Sequence, residues 1–261
     1  MLSISIKQEA KSDVFSTIFH HIKTITENIN IMIDEERVYI QAIDNARVSV
    51  FEICIPAAWF DEYTVPASAV IGISSIMLFK VLNARDKTQS IQIQYDSEEE
   101  TDKLYINMCS IGENSSIFDK HFEVPLMDIE SEIMAIPVTE YQAEMSLPSA
   151  HFASIVSQLR LFGDTLDIHC AEDKIMLSST SSDNGKMRVD VGIDELTAFA
   201  IDEGETLDMS FSLTYIYFIC LYNKLSKDID IKITNEYPMK IGYQLVDGAT
   251  ITFYLAPKMT E

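Results

Sequence analysis

Side chains that hold metals, attack carbon or grip phosphate are all present in this chain, but none of them stands in a working pattern. His20 and His21 are adjacent and diverge on a helix, while His121, His151 and His169 match no metal-ligand spacing. Cys54, Cys109, Cys170 and Cys220 lie far apart with no C-x-x-C, so neither a zinc site nor a disulfide scaffold is signalled. They read as buried, reduced thiols of a cytosolic or nuclear protein. The 8 glycines never form G-x-G-x-x-G or G-x-x-x-x-G-K-[ST], and neither H-E-x-x-H nor G-x-S-x-G occurs. The expectation is therefore a chain with no catalytic residues, no cofactor and no metal. Trp59, beside Pro56 and Phe60, reads as packing.

Charge is the next guide to chemistry. The 261 residues carry 41 acids against 19 Lys and Arg, a formal charge of −22, which on average repels nucleic acid and anionic membranes. The acidic runs SEEETD (97–102) and DEGE (202–205) fall between strand-like segments and read as solvated loops. An enzyme holding metal on those loops is the alternative from another class, and turnover by pure protein with Mg²⁺ would favour it. Met1 opens directly into LSISIK, and no stretch approaches eighteen apolar residues, so a soluble, unprocessed chain with no membrane partner is expected.

Alternating apolar residues announce strands at 2–6, 29–33, 37–43, 90–95, 103–108, 166–170, 228–233 and 250–255. Helix-period segments lie at 14–26, 72–85, 148–163 and 209–227. Those four segments contain no Asp or Glu, where a proportional share of 41 acids over 261 positions would place about ten. Their polar positions carry Lys23, Lys80, Arg85, Arg160, Lys224 and Lys227. Buried helices shed charge of both signs, which is one explanation; a helical layer that faces something anionic is the other.

The chain also repeats itself. One constant offset lays Phe15 on Phe152, Ile18 on Ile155, Phe19 on Val156, Ile22 on Leu159 and Lys23 on Arg160. Without a gap it then lays Ile29, Ile31 and Ile33 on Leu166, Ile168 and Cys170. Persistence through helix, strand and charged turn exceeds shared periodicity and implies two similar domains. They are expected at 1–124 and 141–261, joined by an extended connector at 125–140. At the far end, Pro257 has no N–H to offer a ladder, so the strand ending at Leu255 stops there and leaves a free edge.

Four stretches carry a family resemblance: QAIDNARVSVFEI (41–53), PLMDIESEIMAIPVTEY (125–141), CAEDKIMLSS (170–179) and the ending FYLAPK (253–258). Over essentially its whole length the sequence resembles the proliferating cell nuclear antigen family, the sliding DNA clamps of eukaryotes, archaea and some large DNA viruses. The resemblance implies an α+β DNA-clamp fold with two domains, each of two β-α-β-β-β units. Three chains would close head to tail into a ring, with helices lining a hole around duplex DNA. It implies no enzyme activity and a role as polymerase processivity factor in replication and repair. The location would be the nucleus, or a cytoplasmic replication site for a viral protein. A subunit of a heteromeric checkpoint-type clamp is the alternative.

The same resemblance assigns sites. A pocket for short hydrophobic peptides of DNA polymerase, flap nuclease, ligase and clamp loader would be formed by Ile43, Arg47, Val48, Val50, Met134, Ile136, Pro238, Tyr254, Ala256 and Pro257. The lesser alternative takes Ile43, Val50 and Met134 as ordinary core. The six basic residues named above would face DNA. Strands 117–124 and 185–191 would pair between subunits, with Phe118, Phe122, Met187 and Val189 in the interface. Arg47 replaces the family's usual histidine, and Glu172 stands where a modified lysine is common. Ser16, Thr17, Asn83, Ser154, Ser157 and Leu221 stand where the family often has basic residues.

Overall fold

The computed structural model describes residues 1–96, 102–111, 118–130, 133–235 and 237–258. Most of the acidic run at 97–102, Ile117 of the first interface strand and residues 131–132 of the connector lie outside them. The chain divides into two compact units. The first comprises Met1–Asn45, Glu52–Ile133 and Val246–Ala249; the second comprises Ala46–Phe51, Met134–Leu245 and Thr250–Glu261.

In the first unit the order is β1 (Leu2–Ile6), α1 (Glu9–Ile22), β2 (Asn28–Ile33), β3 (Arg37–Ile43), β4 (Ser49–Pro56, of which residues 49–51 fall in the second unit), β5 (Glu62–Thr64), β6 (Ala69–Ser74), α2 (Ser75–Leu82), β7 (Gln89–Tyr95), β8 (Lys103–Ser110) and β9 (Lys120–Pro125). One sheet runs β5-β1-β7-β8-β9, and the strands β4-β3-β2-β6 follow one another in a second. Alternation builds both sheets. In β4 every second residue is buried, so Phe51, Ile53 and Ile55 enter the core while Glu52 and Cys54 face outward. Helices α1 and α2 pack together, and Phe15, Ile18, Phe19 and Ile22 of α1 are all buried. Trp59 is fully buried beside Phe15 and Phe60, and Lys11 donates to its carbonyl at 2.7 Å.

The second unit repeats the plan with β10 (Ala143–Pro148), α3 (Ser149–Leu159), β11 (Thr165–Ala171), β12 (Lys174–Ser181), β13 (Gly185–Val191), β14 (Ala198–Ile201), β15 (Leu207–Ser212), α4 (Leu213–Cys220), β16 (Asp228–Ile233), β17 (Met239–Gln244) and β18 (Thr250–Leu255). Its strands run β14-β10-β16-β17-β18 and β13-β12-β11-β15, the same order of roles as in the first unit. Buried positions repeat as well: Ile29, Ile31 and Ile33 match Leu166, Ile168 and Cys170, and Phe15 matches Phe152. Helix pair, strand order and core repeat together, so the duplication is a duplication of fold.

Three expectations are corrected. Helix α1 begins at Glu9, so it does carry acids: Glu9 in the first turn, where the positive end of the helix dipole favours it, and Asp13, which pairs with Arg85. The segment 209–227 is not one helix, because its first residues complete β15 and its end is a short 3-10 turn, Leu221–Lys224. Cys54 and Cys109 are half-exposed; only Cys170 and Cys220 are buried, and burial pushes their thiols up to about 11 and about 12.

Two terminal strands are covered by extended segments. The Met127 amide donates to Gly72 of β6 at 2.9 Å, and the Lys258 amide donates to Ser210 of β15 at 2.7 Å. Gly72 is required for the first contact, since a Cβ there would lie 2.1 Å from the Met127 carbonyl oxygen. Gly72→Ala is therefore expected to lower the stability of the first unit by about 1–3 kcal/mol. It should also speed amide exchange at Met127, read by urea titration and hydrogen exchange. Unchanged protection at Met127 would contradict this reading.

Candidate peptide pocket and nucleic-acid face

Nine of the ten residues expected to form the peptide pocket belong to the second unit, the exception being Ile43 in the first. The turn before β4 places Arg47 in the left-handed region (φ 58) and leaves it exposed. Its neighbour Val48 accepts a hydrogen bond from the Ala256 amide at 3.0 Å. The tail thus adds one rung beside Val48 and then halts, because Pro257 has no donor. Beyond the proline, Lys258 anchors the chain again through its amide to Ser210 and through Nζ to Thr165 and Asp164, the latter at 3.3 Å. The Asp164 carboxyl is held below its ordinary range, first by the Thr165 hydroxyl and then by Lys258.

None of the ten residues is core. Ile43 is 38% exposed and Met134 37%, Arg47 and Pro238 are exposed, and Val48, Val50, Ile136, Tyr254, Ala256 and Pro257 are half-exposed. The described connector residues after β9 form neither helix nor strand, and among them Ile133 and Val138 are also exposed. The Tyr254 ring has Lys240 Nζ 5.8 Å from its centroid. A groove of about 490 Å³ begins at Lys240 and includes Glu144, Ser146, Asp230, Lys232 and Thr252. Within it Lys232 pairs with Glu144 at 2.7 Å and Asp230 accepts from the Ser146 hydroxyl, while Met145, Ala198, Phe199 and Ala200 add apolar lining.

On the helices, Lys80, Arg160, Lys224 and Lys227 are exposed and Lys23 is half-exposed. Arg85 is a correction. Its guanidinium donates to the carbonyls of Lys87 (2.9 Å), Gln89 (3.1 Å) and Asp86 (3.4 Å) and pairs with Asp13, leaving its side chain 5% exposed. It fastens the turn after α2 and has no face left for a phosphate. Of the serines expected where the family often has basic residues, Ser157 donates to Ala153 and Ser154 accepts from Gln158, while the Ser16 oxygen is buried with no hydrogen-bond partner among the described residues. Glu172 accepts the Gly204 amide at 2.7 Å and closes a loop.

The expected subunit contacts lie on strands that end their sheets, β9 and β13. Phe118, just before β9, is 86% exposed, and Phe122, Met187 and Val189 are half-exposed. Among the described residues, no three of His, Cys, Asp and Glu group to hold a metal ion.

Comparison with known proteins gives two family matches that together span nearly the whole chain. Residues 1–133 match the N-terminal domain of proliferating cell nuclear antigen, and residues 135–258 match its C-terminal domain. The proliferating cell nuclear antigen of Chaetomium thermophilum is 26% identical over 265 aligned residues, covering 100% of this chain and 99% of its own length.

The tail contacts yield a test. Lys258→Ala should raise amide exchange at residue 258 several-fold while Ala256, bonded to Val48, stays protected. Global stability should stay within about 0.5 kcal/mol, because the ion pair it removes is exposed. Solvent-rate exchange of the Ala256 amide in the unaltered protein would contradict the anchored tail.

Proposed function

The chain belongs to the proliferating cell nuclear antigen family of non-enzymatic sliding DNA clamps, and from that premise we propose that it acts as a homotrimeric processivity ring. The carrying observation is that both family matches, 1–133 and 135–258, fall on this one chain in order. In this reading, domain 1–124, connector 125–140 and domain 141–261 form one subunit. Strands β9 and β13 pair between neighbouring chains. The helix pairs face duplex DNA, and the chain works at a nuclear or viral cytoplasmic replication site without catalysing a reaction itself.

The ring tethers a polymerase, flap nuclease, ligase or loader through a short peptide with a Gln anchor, an aliphatic residue and two aromatics. Exposed Met134 and half-exposed Tyr254 support this, since an apolar surface beside a halted strand offers burial and free backbone groups together. Such a peptide should bind, and Tyr254→Ala and Met134→Ala should each cost about 1–3 kcal/mol by calorimetry. Unchanged affinity in both variants would move the pocket elsewhere.

Retention on DNA should depend on topology. With Arg85 and the Ser157 hydroxyl committed within the protein, direct contact with linear duplex is expected to be weak and only modestly salt dependent. Rings loaded on nicked circular DNA should survive salt that abolishes binding to open duplex and should fall off when the circle is cut. Lys80→Ala should impair loading or sliding more than assembly. Tight sequence-selective binding to short linear duplex at several hundred millimolar salt would overturn the proposal. Assembly only on addition of different clamp chains would point to a heteromeric ring.

A further inference from the structure

Lys23 and Arg160 are equivalent in the internal repeat, and each is the residue that caps the C-terminus of its helix, α1 or α3. In each unit the paired helix supplies an aromatic ring beneath the basic head. Lys23 Nζ lies 3.2 Å from the centroid of Phe79 in α2, and Arg160 Cζ lies 4.0 Å from the centroid of Tyr217 in α4. Both rings are half-buried, so the helix packing that positions them also fixes them. His20 stands edge-on to Phe79 at 4.8 Å and walls the first pair; burial, and then Lys23, lowers its pKa and so favours its neutral form.

In a chain with 41 acids, neither Lys23 nor Arg160 has a carboxylate at ion-pair distance among the described residues. Arg85 shows the contrast, with Asp13 and three carbonyls holding it. A cation that is held by a ring rather than by an acid keeps its full charge and its outward N–H donors. It has also already surrendered much of the rotamer freedom that a free lysine loses on gripping an anion. Lys80, Lys224 and Lys227 sit exposed with no such support.

We propose that Phe79 and Tyr217 are positioning residues for DNA contact, each presenting the basic head of Lys23 or Arg160 in a fixed pose to a backbone phosphate of duplex DNA. This rests on the reading of the helix pairs as the DNA-facing surface. The two platforms recur at repeat-equivalent cations although their rings come from different residue types, which ties the pattern to the cation rather than to generic packing.

The test uses the assembled protein and a short duplex at low salt, with affinity followed as salt is raised. Phe79→Leu and Tyr217→Leu keep an apolar side chain of similar reach and remove the π face; each should weaken binding about two- to fivefold. Tyr217→Phe and Phe79→Tyr should bind within about twofold of the unaltered protein. The salt slope distinguishes positioning from charge. The leucine variants keep the slope, because every cation remains, while Lys23→Ala and Arg160→Ala reduce it by about one for each phosphate that is no longer neutralised. Should a leucine variant fail to assemble, the Arg160 side-chain N–H resonance of the unaltered protein gives the answer: a ring-current shift present both free and on DNA supports the platform, and a random-coil position overturns it. Leucine variants that bind as the unaltered protein does, while the alanine variants weaken, overturn the positioning role alone. Alanine variants without effect overturn the helix-face reading and this inference with it.

Discussion

A strand at the end of a sheet leaves a row of backbone N–H and C=O groups without partners, and the way this chain handles its sheet ends organises much else. The ends at β5 and β14 are kept short, at 3 and 4 residues. Those at β6 and β15 receive extended segments, the connector at Gly72 and the tail at Ser210. The connector also carries Met134, and the tail carries Ala256 and Pro257 directly after Tyr254 of β18, so the segments that bond the sheet ends also hold apolar side chains a docking peptide would use. What remains are β9 and β13, at 6 and 7 residues, with apolar Phe122, Met187 and Val189 half-exposed along them. Long ends of that kind invite a partner strand, and a head-to-tail ring supplies one for each.

The charge distribution fits the same account. An excess of acid keeps a protein soluble and repels nucleic acid at a distance, so any attraction must be local. Of the basic residues proposed to supply it, Arg85 serves the fold, Lys23 and Arg160 lie against rings, and Lys80, Lys224 and Lys227 are exposed. A surface of that kind suits loose contact with phosphates, which is what a sliding ring requires and a site-specific binder does not.

Much of this was legible in the sequence where a period was clean. The strands at 37–43, 228–233 and 250–255 coincide with β3, β16 and β18, because alternation with one buried face leaves no other register. The repeat showed itself for the same reason, since equivalent cores need equivalent residues. Apolar runs without a clear period misled: MSFS at 209–212 reads as helix or strand, and only its pairing with β11 decides. Helix α1 started earlier than its apolar period because its first turn is polar and acidic. Of the site residues, the tail and connector were marked by their motifs, whereas the fate of Arg85 and the rings under Lys23 and Arg160 depend on turn conformation and helix packing, which no spacing encodes.

The central claim is that β9 and β13 close a ring by pairing between chains. Backbone amide exchange measured across chain concentration, with mass followed in the same samples by light scattering, tests it most directly. The account predicts that the outward amides of residues 120–124 and of Gly185–Val191 gain protection together as the mass rises to three chains, and lose it together on dilution. A species that stays monomeric at micromolar concentration, with both strands exchanging at solvent rates along their outer edges, would contradict it.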